Sequence, residues 1–303
     1  MEIYLKKSWI VILLAVFCNV LWGSAFPFVK IGYHQFQISG TADQILFAGM
    51  RFTIAGCLLL FIYSIRNRKV PAIRKDNRKY VGAMALIQTT IEYVFFYIGL
   101  SHTAASNGSI INSCSVFWGV LLAHVVYKDD KLSWNKIIGC LVGFLGVLLV
   151  TMEDSALHFA WNGEGFIVLA SLAFALGSMF GKKASRVDDP VVVTGYNLST
   201  GGGLLLLLGL FFGGTLPRVT PAGVAVLLYL ALLSALAFSI WTLLLKYNPV
   251  GRIAFYNFVI PVSGTILSAF VLKENILKWN YAAALFLVTL GIYCIQKLQS
   301  PSP

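Results

Sequence analysis

Charge is what this chain has least of. Only 12% of its 303 residues are Asp, Glu, Lys or Arg, against 58% hydrophobic, where a soluble domain carries about 25% charged residues. Acid is scarcest, with twelve residues in all. At a mean hydropathy of +0.80 there is too much apolar surface to hide from water. A soluble enzyme or soluble binding module is therefore argued against, and a chain dissolved in the bilayer is expected. Cysteine is sparse too: Cys18, Cys57, Cys114, Cys140 and Cys294 all fall inside apolar runs, with no CxxC and no histidine at ligand spacing. They read as small buried hydrophobes, and no metal site or disulfide is expected. A phosphate-binding loop is missing as well. Gly201-Gly202-Gly203 lies inside an apolar run with no Lys-Ser/Thr after it, so it reads as a place for close helix approach or bending, and no nucleotide cofactor is expected.

What is present is a series of long apolar runs. A membrane-crossing helix needs about 20 such residues, and ten runs qualify: 9–31, 44–65, 80–101, 104–127, 134–152, 163–183, 190–212, 221–245, 252–272 and 279–297. The first is too long for the core of a signal peptide and lacks a small-residue cleavage site, so it is expected to stay in the membrane. The links are short. RNRKVPAIRKDNRK (66–79) is the most basic and EDSALHFAWNGE (153–164) is acidic. The net charge of +11 sits in these links without aromatic interleaving, which argues against nucleic acid. With the N-terminus inside, 18 Lys and Arg fall on the cytoplasmic side, among them Lys6, Lys7, Lys128, Lys131 and Arg252. Four (Lys30, Arg218, Lys273 and Lys278) fall opposite, and Arg51 lies within a span. That bias predicts cytoplasmic termini in a cell (inner or plasma) membrane.

The chain also repeats itself. KDDKLSWNKIIGCLVGFLGVLLV (128–150) and KENILKWNYAAALFLVTLGIYCI (273–295) align without a gap, offset by 145 residues, with Lys, Leu, Trp, Asn, Leu and Gly in register. LWGSAF (21–26) is echoed by ALGSMF (175–180). Two halves of five spans, residues 1–152 and 153–303, follow. Five is odd, so the second half enters from the opposite side. The expected fold is an all-α integral membrane protein of ten transmembrane helices in two inverted five-helix repeats, an arrangement shared by many secondary transporters.

These residues carry a family resemblance over nearly the whole chain. WGSAFPFVK, GLSHTAASNGSIINSCSVFWGVLLAHVVYKD and IPVSGTILSAFVLKENILKWNYAAALFLVTLGIYCI resemble the EamA family of the drug/metabolite transporter superfamily. The resemblance is strongest from Pro261 to Glu274. In the fourth span Cys114 or Val116 stands where the family commonly has a proline. The resemblance implies an exporter or exchanger of amino acids or other small metabolites, with a nucleotide-sugar or a drug-like cation as other cargo classes.

Glu92 is the single acid well inside a span, and Arg51 the single cation as deep. A charge at the span centre costs about 2.5–3.5 kcal/mol on insertion scales, so each should face the bundle interior. At 1.5 Å per residue both lie about 10–13 Å from the same membrane face. Three roles stay open: an ion pair, a proton carried by Glu92, or a zwitterion held by its ammonium on Glu92 and its carboxylate on Arg51. An Arg51 that snorkels away would defeat pairing. Gln88 sits four residues before Glu92, on one α-helical face. Asn19, Trp22, Asn112, Trp241, Tyr256 and Asn257 complete the expected substrate-binding set, with Ser24, Asn107 and Asn197 as further polar positions. Each amide alone also reads as an interhelical hydrogen bond of about 0.6–2 kcal/mol. No catalytic residues are expected. The pairs Asp129-Asp130 and Asp188-Asp189 lack a histidine and sit beside basic residues, which argues against a membrane-embedded lipid enzyme. The expected partners are a small-molecule substrate and the bilayer, with a homodimer left open.

Overall fold

Residues 8–126, 134–150, 152–153, 156–157, 159–248, 253 and 255–297 are described by a computed structural model. Lys6, Lys7, Lys128, Asp129, Asp130, Lys131 and Arg252 lie outside them. The ten apolar runs form ten helical spans. Span 1 is Ser8–Phe36 and span 2 is Thr41–Asn67. Span 3 joins Arg78–Met84, a wider π-helical segment Ala85–Ile91, and Glu92–His102. Span 4 is broken into Ala105–Ile111 and Cys114–Val126, and span 5 is Trp134–Val150. Span 6 is Trp161–Gly165 (π) running into Phe166–Val187, span 7 is Pro190–Phe211 and span 8 is Pro221–Tyr247. Span 9 is a 3₁₀ turn, Phe255–Phe258, leading into Val259–Leu272, and span 10 is Trp279–Lys297. Spans 1, 2, 3, 6, 7 and 8 are each long and apolar enough to cross a membrane.

Local chemistry sets several ends. Asp189 caps span 7 by accepting from Val191 N at 2.8 Å, with Pro190 in the first turn. Thr220 caps span 8 by accepting from Gly223 N at 2.9 Å, with Pro221 following. Each cap satisfies a helix N–H that would otherwise be orphaned, and a proline in the first turn loses no bond. Span 4 breaks without a proline, at Asn112 and Ser113. In span 9 the break precedes Pro261, which sits in the first turn of Val259–Leu272.

The repeat is visible in the packing. Spans 2 and 7, 4 and 9, and 5 and 10 each pack on their own counterparts. Span 1 lies on spans 8 and 9 as span 6 lies on spans 3 and 4. Along the span 2–7 seam, Leu46 faces Gly209, Gly49 faces Leu206, Thr53 faces Gly202 and Gly56 faces Ser199, an antiparallel register. A Cβ on Gly49 would stand 2.8 Å from Leu206 Cα and 2.9 Å from Leu205 C. One on Gly202 would stand 2.8 Å from Phe52 C and 2.9 Å from Phe52 Cβ. The seam thus looks the same from either span. The span 5–10 seam repeats the pattern, with Gly146 against Ala284 O and Gly291 against Gly139 O. These two glycines are related by the 145-residue offset of the sequence repeat. Small residues let backbones approach this closely, which is how helices gain packing energy where lipid removes the hydrophobic drive.

Hydrogen bonds tie the links into two faces. On one, Thr215 N donates to Asp43 (2.7 Å), Thr103 Oγ1 to Glu164 (2.6 Å), and Ala105 N and Ser106 N to Glu274 (both 2.9 Å). On the other, Asn77 Nδ2 donates to Asp188 (2.7 Å), which also pairs with Arg74 at 3.9 Å. We call these the cation-poor and the basic face.

Candidate functional site

Midway between the faces, Arg51 and Glu92 open onto one cavity. It holds only about 40 Å³ of free space, room for about one water. Spans 1, 2, 3, 4, 6, 8 and 9 all contribute lining residues. Trp22, Phe26, Tyr93, Phe96, Phe174 and Phe238 surround it with rings, Asn112 adds an amide at the break in span 4, and Ile260 closes the span 9 side. Trp22 stands edge-on to Phe174, Phe238 and Trp241 at ring separations of 5.7, 5.3 and 5.0 Å. Edge-to-face rings at such distances hold one another rigidly.

Arg51 does not snorkel. It is 1% exposed and is anchored across to span 8. Its Nε donates to Ser234 Oγ (2.8 Å) and Leu230 O (3.2 Å), and its Nη1 donates to Tyr97 Oη (3.1 Å). The guanidinium also lies over the Phe52 ring, 4.7 Å from its centre. Buried cations persist when paired or fully hydrogen-bonded. Here neutral oxygens and a ring do that work, so the positive charge stays formally uncompensated.

Glu92 is 6% exposed, and its Oε2 has no hydrogen-bond partner. Among the described residues no ion pair joins it to Arg51. Of the three roles left open, the direct ion pair is not formed, because Arg51 is drawn toward span 8 and Tyr97. The two charges share a cavity wall without meeting. A buried, unpartnered carboxyl oxygen at a cavity is costly unless something else arrives to satisfy it.

Gln88 does not join Glu92. Gln88 lies inside the π-helical segment Ala85–Ile91, which ends just before Glu92 and widens the turn, so residues four apart lose the common face an α-helix would give. Gln88 instead packs on Gly177 and donates to Ser178 Oγ at 3.1 Å. Thr90 marks the irregularity, donating to both Ala85 O (3.1 Å) and Gly201 O (3.2 Å). Asn19 turns back on its own helix, donating to Ala15 O at 2.7 Å. Trp241 backs the cavity through Trp22. Asn257 is buried in the 3₁₀ turn that opens span 9, and Tyr256 packs on the core beside it; neither lines the cavity. Ser24 meets Tyr229 Oη (2.6 Å), Asn107 accepts from Tyr281 Oη (2.6 Å) and Asn197 accepts from Thr89 Oγ1 (3.1 Å), all interhelical bonds. Thus Trp22, Arg51, Glu92 and Asn112 line the cavity, whereas Asn19, Gln88, Trp241, Tyr256 and Asn257 do not. Sequence reasoning missed Tyr97 and Ser234, which hold Arg51, and Tyr93, Phe96, Phe174 and Phe238. The spacing of Tyr93 and Tyr97 around Glu92 was the available signal.

The sequence profile described as the EamA-like transporter family matches the chain twice, over residues 9–152 and 161–296. A transporter of Archaeoglobus fulgidus is 26% identical over 273 residues, covering 87% of this chain and 89% of its own. YedA, an inner membrane transporter of Escherichia coli strain K12, is 25% identical over 291 residues, covering 90% and 89% respectively. A protein crystal structure superposes with a TM-score of 0.72 at 18% identity, covering 96% of this chain and 99% of that one, a likeness of fold.

Proposed function

The chain belongs to the EamA-like transporter family and is a multi-pass membrane transporter, and from that premise we propose that its cargo is a small organic metabolite bearing an amino group, with an amino acid or a close relative as the first choice. One observation carries this reading: a single ring-lined cavity holds an anchored guanidinium and a carboxyl group whose Oε2 has no partner. The ammonium of a zwitterion would satisfy Glu92, and its carboxylate would face Arg51. Pairing both at once removes the cost of leaving either buried alone. The aromatic wall suits an apolar or aromatic side chain, with the ammonium also favoured by ring faces.

In the described conformation the cavity is too small for its cargo, since about 40 Å³ admits no metabolite of this kind, whose pockets typically exceed 300 Å³, so binding requires it to widen. Transport then follows by rocking the halves 1–152 and 153–303 about the cavity, opening one face at a time. The charge bias supports cytoplasmic termini in the cell membrane, which makes the cation-poor face the outer one. Export or exchange is the expected direction, with proton coupling through Glu92 where accumulation is observed. No chemical conversion of the cargo is required.

A second reading, transport of a hydrophobic organic cation without a carboxylate, is favoured by the anchoring of Arg51 to Ser234, Leu230 and Tyr97. A thermal-shift screen of the purified protein separates the two. Amino acids that stabilise, while their decarboxylated amines do not, support the zwitterion. The reverse order supports the organic cation, and no stabilisation by either class overturns both.

A further inference from the structure

A second cavity, of about 620 Å³, opens on the cation-poor face and is lined by Lys30, Tyr33, His34, Gln37, Ser101 and Arg218, among others. That face has just four Lys or Arg in the whole sequence, Lys30, Arg218, Lys273 and Lys278, and two of them meet here. No acid lines the cavity. The acids nearby are held elsewhere. Asp43 accepts from Thr215 N and Glu274 accepts from Ala105 N and Ser106 N. Glu274 acts on Lys30 only through its field. Neither the Lys30 ammonium nor the Arg218 guanidinium has a hydrogen-bond or ion-pair partner among the described residues. Two cations converging on one recess without an acid make an anion site.

The recess is separated from the central cavity by packed aromatic side chains. Tyr33, on its wall, donates its hydroxyl to Tyr97 O at 2.7 Å, and Tyr97 Oη accepts from Arg51. Tyr33, Phe47 and Tyr97 stand edge-on to one another at 6.1–6.3 Å, one layer of rings between the recess and Arg51. An anionic group could move from Lys30 and Arg218 to Arg51 only if this ring layer parts.

We propose that this vestibule is a carboxylate-binding site that meets the transported solute on this side of the membrane, at entry or exit. The choice of a solute carboxylate rests on the transport reading above; the shared chemistry, a small oxyanion, would also fit a lipid phosphate.

The test needs no transport. Ser39, on the cavity wall, is replaced (Ser39→Cys) in the full-length protein with the exposed Cys57 and the half-buried Cys140 and Cys294 changed to Ser, in nanodiscs of neutral phosphatidylcholine. Labelling rates are measured with an anionic and a cationic methanethiosulfonate of similar size, normalised to a free thiol. The vestibule predicts about a tenfold preference for the anionic reagent, lost when Lys30→Gln and Arg218→Gln are added. Millimolar acetate should slow labelling severalfold in the first background and not in the second. Equal rates for the two reagents would overturn the anion site. Slowing by phosphatidylglycerol in the disc, with no effect of acetate, would assign it to lipid phosphate and overturn the solute role. A failed flux assay would leave the labelling result standing, and a flat labelling result would leave the transport reading standing.

Discussion

Gly202 and Gly203 are neighbours in span 7 and should respond oppositely to the same substitution. A Cβ on Gly203 meets nothing within 4 Å, whereas one on Gly202 meets the backbone of span 2, 2.8 Å from Phe52 C. Ordinary contact begins near 3.4 Å, so Gly202→Ala must part spans 2 and 7 by roughly 0.6 Å or more. A gap of 0.5–1 Å already forfeits a quarter to a half of each dispersion contact along the seam, and overpacking of this kind costs about 1–3 kcal/mol. The helix-propensity gain of alanine over glycine, about 1 kcal/mol, offsets part of that cost. Gly203→Ala keeps the gain and has no such cost. The repeat adds a sharper demand: Gly49→Ala, the counterpart of Gly202→Ala, should cost the same within about 0.5 kcal/mol. Thermal unfolding in detergent, followed by the accessibility of buried thiols, gives the ranking. Gly202→Ala and Gly49→Ala should melt a few degrees below the parent and Gly203→Ala at or above it. If Gly202→Ala melts with Gly203→Ala, the seam is not the close backbone contact described. If Gly49→Ala and Gly202→Ala differ widely, the packing is not two-fold.

Three further outcomes follow from the site and its frame. Ser234→Ala leaves Arg51 Nε with only the longer bond to Leu230 O, and should lower stability by about 1 kcal/mol and raise KM for a carboxylate-bearing cargo more than for its decarboxylated amine, read by paired flux assays. Trp22→Ala removes the ring that joins Phe174, Phe238 and Trp241, and should destabilise by about 3–5 kcal/mol in thermal unfolding; bulkier cargo that the parent rejects should partly restore the melting temperature. Glu274→Gln weakens the acceptor at the start of span 4 and should lower the melting temperature by an amount equivalent to about 0.5–2 kcal/mol, with cargo binding in the central cavity unchanged in a thermal-shift titration.

The fold was largely legible because apolar length and repeat spacing are local properties of the chain. The offset that aligns 128–150 with 273–295 is the same one that relates Gly146 to Gly291 across the span 5–10 seam. Arg51 and Glu92 were legible because no soluble-like environment exists at their depth, so each had to face inward. Their separation was not, because hydrogen bonds from Arg51 to Ser234 and Leu230 depend on which residues of span 8 face span 2. Gln88 misled because its spacing from Glu92 assumes an α-helix, whereas the turn there is π-helical, with Thr89 and Thr90 bonded across to span 7 at Asn197 and Gly201. The break in span 4 carried no proline to announce it. The ring wall was hidden among 42 aromatic residues, 22 of them Phe, most of which serve packing or the lipid face.

Glu92 is the residue on which the proposed transport site depends most. The decisive measurement is uptake of the best thermal-shift ligand by protein in liposomes, with and without a pH gradient, for the parent and Glu92→Gln. The account predicts that the variant folds, that its cargo binding is altered, and that gradient-driven accumulation is lost. A variant that transports at the parent rate with the same response to the gradient would show that Glu92 holds neither cargo nor proton, and would contradict the site.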